Sequence, residues 1–130
     1  MGYDGLGSGS AAVYGPGVTV QGGNPGGTAY TSTGLMVGNS GATANIRGAR
    51  VVGRSGSGDA SAVSVAAGTT FRAVSATLIG AGAPGGAVTC DPGTTVSVAK
   101  SVTNITPITE ASDCTNNITS PDNLEDADVE

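Results

Sequence analysis

One short phrase returns four times along this chain and limits what it can fold into. Gly17-Val18-Thr19, Gly41-Ala42-Thr43, Gly68-Thr69-Thr70 and Gly93-Thr94-Thr95 recur at nearly even intervals, a period of about 25 residues of the kind that marks repeat architectures. Each copy is followed by an apolar or small residue: Val20, Ala44, Phe71 and Val96. A glycine held at one phase of a repeat this long marks a coiled array, in which each turn buries its apolar side against the next. Equivalent positions then stack at about 4.8 Å, so four turns make a body about 20 Å tall. Between the echoes lie short alternating pairs: Val18 and Val20, Leu35 and Val37, Val63 and Val65, Ala76 and Leu78, Val96 and Val98. Glycine clusters at 22–23, 26–27, 56–58 and 82–86 bound these runs. Short strands separated by turns give this texture. No segment sustains an apolar period of about 3.6, and the glycines would break most helices.

The expected fold class is therefore all-β: a short parallel β-helix or solenoid of about four coils, with an antiparallel β-sandwich or jelly roll as the alternative. The repeats align beyond the shared phrase. Residues 34–53 read against 61–80, setting Leu35 over Ala62, Met36 over Val63, Val51 over Leu78, Val52 over Ile79 and Gly53 over Gly80. Three regions follow: a Gly-rich N-terminal arm (1–12), a β-repeat body (13–105) and a polar, then acidic, C-terminal tail (106–130). The core material is thin, with one Phe, three Tyr, no Trp and 23 Gly in 130 residues. A lone copy should therefore be marginal, and a partner, a larger assembly or a crosslink should help hold it.

Ser61–Gly80 resembles one coil of the right-handed parallel β-helix proteins, the pectin-lyase-like group. Residues 34–53 are similar, and 86–105 more loosely so. The resemblance implies a right-handed coil and no activity. Members that act on polysaccharides carry clustered acids and bases on one face. Here arm and body together have three scattered acids (Asp4, Asp59, Asp91) and the chain has no His, so none of those roles transfers.

The same absences narrow the chemistry. Without His there is no Ser-His or Cys-His pair and no His-based metal site, and two cysteines cannot close a zinc site. The glycines at 80–86 are followed by no Gly-Lys-Ser/Thr, so they read as turns and not as a phosphate loop. The expectation is a non-enzyme with no cofactor and no catalytic or metal residues. Cys90 and Cys114 lie one repeat length apart. One more turn would stack Cys114 on Cys90 at a spacing a disulfide accepts, worth about 3 kcal/mol in the chain-entropy account. The alternative is two reduced, partly buried thiols. Gly17, Thr19, Gly41, Thr43, Gly68, Thr70, Gly93 and Thr95 are read as a structural turn-and-stack column. A Thr ladder also resembles an ice-binding face, but with one Thr per coil at this phase, stacking is the better account.

Charge is segregated. Residues 110–130 hold seven acids and no base, while the rest holds three acids and five bases (Arg47, Arg50, Arg54, Arg72, Lys100). The net charge of −5 is thus a tail of −7 on a remainder (residues 1–105) of +2. An acidic tail can simply be solvated. The sharper reading pairs Arg47, Arg50 and Arg54 with Glu125, Asp126 and Asp128 of a neighbouring subunit. No basic stripe interleaved with aromatics marks a nucleic-acid partner, and no run approaches a membrane span. The first ten residues lack the basic start and apolar stretch of a signal peptide, so synthesis in the cytoplasm is expected. Asn104-Ile105-Thr106 and Asn117-Ile118-Thr119 match the glycan acceptor pattern, as chance allows in a chain this rich in Thr and Asn.

An open-ended β-stack exposes strand edges that must be capped or covered. Arm and tail are candidates for covering them or for exchanging with neighbours. Composition and edges together resemble those of virion structural proteins of tailed phages. The functional expectation is a capsid decoration or cement protein, assembled onto the virion in the host cytoplasm. Its expected partners are its own copies, as a trimer, and a major capsid or shell protein. The alternatives are a glycan-binding tail-spike or adhesin module and a subunit of an extracellular filament, either one placing the chain outside the cell or at its surface.

Overall fold

The alternating apolar runs form the strands of a parallel stack in the computed structural model. It describes residues 3–4, 10–15, 17–22, 31–38, 40–55, 60–81, 87–104, 118–119 and 124–125. A first turn supplies β1 (Tyr3–Asp4), β2 (Ser10–Tyr14) and β3 (Thr19–Gln21), and β4 (Thr31–Ser32) follows it. The second supplies β5 (Leu35–Val37), β6 (Thr43–Arg47) and β7 (Arg50–Val52), with β8 (Arg54–Ser55) after it. The third holds β9 (Val63–Val65), β10 (Thr70–Val74) and β11 (Thr77–Ile79), and the fourth β12 (Val88–Cys90), β13 (Thr95–Ala99) and β14 (Val102–Thr103). β15 (Ile118–Thr119) and β16 (Leu124–Glu125) add to the far end.

Three parallel sheets result. Sheet A has the order β1-β5-β9-β12, sheet B β15-β13-β10-β6-β2, and sheet C β16-β14-β11-β7-β3. Every neighbour in these three sheets is parallel and one turn away in sequence, which identifies a short parallel β-solenoid and not a sandwich of hairpins. Beside them, β4 and β8 pair antiparallel, and Ala60 bridges Ala81 antiparallel. Residues 3–4 and 10–12, read from the sequence as arm, and residues 118–119 and 124–125, read as tail, each add strands to the stack.

The register corrects the repeat in two places. Thr43, Thr70 and Thr95 do stack, each one coil from the next. The first echo does not join them: Thr19 lies beside Arg50 in sheet C, and Ser10 stands next to Thr43 instead. The phrase Gly-x-Thr specifies a turn and the start of a strand, and the first coil uses it at a different corner. In sheet A, Leu35 lies over Val63 and Met36 over Ser64, one position away from the sequence alignment. Such a step exchanges the two faces of a strand. Met36 accordingly faces outward at 47% exposure, while Leu35 and Val63 are buried. The alignment holds in sheet C, with Val51 against Leu78 and Val52 against Ile79.

Two corners carry the turns. Gly41, Gly68 and Gly93 all have positive φ (87°, 73° and 79°) where the chain passes from sheet A to sheet B. At the next corner Gly48, Ser75 and Lys100 share the left-handed conformation, with φ of 67°, 52° and 50°. Only the first of those three is a glycine, so this corner is invisible to a glycine count.

Inward side chains form the core in complementary layers. On sheet B the second coil places Ala44 and Ile46 inside, the third Phe71 and Ala73, and the fourth Val96 and Val98. In the second and third coils a large residue is balanced by a small one, and in the fourth two of middle size share the space, which keeps the interior filled at constant cross-section. The interior grows more polar down the stack. Ala42, Ala49 and Val51 in the second coil correspond to Thr69, Ala76 and Leu78 in the third, and to Thr94, Ser101 and Thr103 in the fourth, all buried. Ser101 Oγ accepts from the Ala76 N–H (3.1 Å) and donates to the Ala99 carbonyl (3.0 Å). Thr94 Oγ1 and Thr103 Oγ1 find no partner among the described residues. Asn104 extends the pairing below Ile79 with its side chain: Gly80 N–H donates to Oδ1 (2.9 Å) and Nδ2 donates to the Gly80 carbonyl (2.8 Å).

Candidate functional site

Strand alternation decides which residues of sheet B face outward. With Ala44, Ile46, Phe71, Ala73, Val96 and Val98 inside, the outer face carries Thr43, Asn45 and Arg47 on β6, Thr70, Arg72 and Val74 on β10, and Thr95, Ser97 and Ala99 on β13. Register sets Arg72 between Asn45 and Ser97, and Val74 beside Arg47. Arg47 and Arg72 are exposed. They are diagonal neighbours, one strand and two positions apart, so their Cα atoms are about 8 Å from each other. A groove of about 400 Å³ runs between them, lined by Asn45, Ile46, Arg47, Arg72 and Val74.

Neither guanidinium has a hydrogen-bond or ion-pair partner among the described residues. The other two arginines differ. Arg50 begins β7 on sheet C, is half-buried and is already engaged. The Arg54 guanidinium lies against the side-chain amide oxygen of Gln21. The triplet Arg47, Arg50 and Arg54 expected from sequence is thus divided between two sheets and β8. Arg72, outside that triplet, is the residue that shares a face with Arg47. Its signal was present in the repeat: in the coil register Arg72 aligns with Asn45, two positions before Arg47.

Cys90 ends β12, is buried and is disulfide-bonded. Cys114, the chain's other cysteine, lies outside the described residues, as do Asp126 and Asp128. Glu125 is placed by its backbone in β16, beside Thr103. Thr43, Thr70 and Thr95 form an outward ladder at the edge of the arginine face. Among the described residues no three His, Cys, Asp or Glu side chains gather as a metal site would need. Chemically, the arrangement offers two exposed cations without a partner among the described residues, with an amide and hydroxyls beside them, which suits recognition of an anionic chain. No protein family, curated protein or solved structure matches this sequence.

Proposed function

We propose that this protein is a non-enzymatic structural component of a larger assembly, and specifically a virion structural protein of the capsid decoration type. The observation that supports it best is the parallel stack, open at both ends among the described residues. β1, β2 and β3 stand at one end of their sheets, and β12, β15 and β16 at the other. Parallel strands at sheet ends carry unpaired backbone groups that natural proteins cover or pair. A decoration protein uses such surfaces, with its terminal segments, to bridge neighbouring subunits and the shell beneath.

The Cys90 disulfide fits a protein that works outside the reducing cytoplasm, a category that includes virion and cell surfaces. It also favours the second reading, an extracellular adhesin or tail-spike module whose outer sheet face binds glycans.

The two separate by experiment. The 130-residue chain is added to preformed tailed-phage shells and to a glycan array, with its mass measured alongside. Saturable binding at a fixed ratio to shell subunits, with gain of heat resistance, supports decoration. A protein that ignores shells and retains glycans overturns it in favour of the adhesin.

A further inference from the structure

We infer that the outer face of sheet B is a docking site for the acidic C-terminal segment of a second copy of this chain, held by Arg47 and Arg72. The inference deepens the proposed function and rests on it for the claim that copies associate through their ends. Its own support is geometric. Asp126, Asp128 and Glu130 alternate with Ala127 and Val129. In an extended segment these alternate acids share one side, about 6.8 Å apart. Arg47 and Arg72 are exposed on either side of the groove, with Cα atoms about 8 Å apart. Fork-shaped guanidinium groups suit paired contact with carboxylates.

Charge balance points the same way. Residues 1–105 carry +2 and residues 106–130 carry −7, so the tail of one copy and the body of another attract. The other body arginines are less suited to capture a partner, because Arg50 is half-buried and engaged and Arg54 sits against Gln21. Asn45 and Ser97 flank Arg72 in its column and add hydrogen-bonding groups for the peptide backbone.

Sedimentation velocity of the full chain at low and high salt tests this. The wild type should self-associate at about 50 mM salt and dissociate toward monomer at about 500 mM, where the Debye length falls to a few ångströms. Arg47→Thr with Arg72→Thr should weaken association about thirtyfold, the sum of two exposed ion pairs near the upper end of their range. Both sites are exposed strand positions that take Thr readily, and circular dichroism with a urea midpoint checks the fold. Asp126→Lys with Asp128→Lys should weaken association at least as much without touching the body. Combining that tail with Arg47→Glu and Arg72→Glu should restore it.

A wild type that stays monomeric at low salt overturns the inference. So does association that survives either pair of substitutions, or a failure of the combined reversal to restore it. Shell binding measured on the same samples separates the two claims. A monomer that still decorates shells defeats the docking site alone. An arginine-dependent oligomer that ignores shells defeats the decoration reading alone.

Discussion

Phe71→Ala should remove more stability than any other single side-chain truncation in the body. Phe71 is the chain's only phenylalanine and is fully buried at the centre of the stack. Its inward neighbours are Ala44 in the coil before, Val96 in the coil after and Ala73 on its own strand. Removing the ring leaves Ala44, residue 71 and Ala73 as three small side chains around one void. Sheet walls tied by continuous hydrogen-bond ladders cannot collapse into that space, which sets the cost near the upper end of the usual range, about 4–5 kcal/mol. A domain of this size holds only about 5–15 kcal/mol in all. At about 4 °C per kcal/mol the melting temperature should fall by about 15–20 °C. Urea unfolding followed by circular dichroism, with calorimetry, measures both quantities. Val74→Ala, on the same strand but half-buried on the outer face, is the control and should cost about 1 kcal/mol or less. A Phe71→Ala loss no larger than that of Val74→Ala would refute the layered interior described above.

Three further outcomes are expected. Asn104→Ala strands both the N–H and the carbonyl of Gly80; it should cost about 1–3 kcal/mol in urea unfolding, and Asn104→Asp should not restore it, since a carboxylate lacks the donor. Thr103→Val replaces a buried hydroxyl with no partner among the described residues by a methyl of similar size; stability should rise by about 1 kcal/mol at an unchanged urea slope. Gly53→Ala should be worse than Gly93→Ala, as read by their melting temperatures. A Cβ at 53 would meet the Ser61 backbone, 2.7 Å from its carbonyl carbon, whereas one at 93 meets nothing within 4 Å and suffers only its φ of +79°. The expected costs are about 3 kcal/mol or more and about 1–2 kcal/mol.

The fold was legible in the sequence where turn chemistry and burial repeat together. Gly41, Gly68 and Gly93 share one corner because each needs the same left-handed φ, and the Thr two positions on starts the same strand each time. The first copy misled because a local phrase reports a turn, not which corner of the coil holds it. The first coil runs from Ser10 to Thr43, longer than the interval from Gly17 to Gly41 suggests. Sheet A slipped by one position because its step, from Leu35 to Val63, is one longer than that of sheet B, from Thr43 to Thr70. The candidate site was half legible. Arg47 was singled out, but proximity in sequence grouped it with Arg50 and Arg54. Its companion on the sheet, Arg72, emerges only when residues one coil apart are set side by side.

The stacking register of sheet B underlies the layered core and the arginine face alike, and an engineered crosslink tests it directly. Thr43 and Thr70 face outward as direct neighbours, with Cα atoms about 4.8 Å apart, inside the range a disulfide bridges. The double variant Thr43→Cys, Thr70→Cys should crosslink within the monomer on mild oxidation, read by mass spectrometry of the digested protein. Thr43→Cys with Thr95→Cys, two strands apart, should not. Equal crosslinking of the two pairs, or none in the first, would contradict the stack.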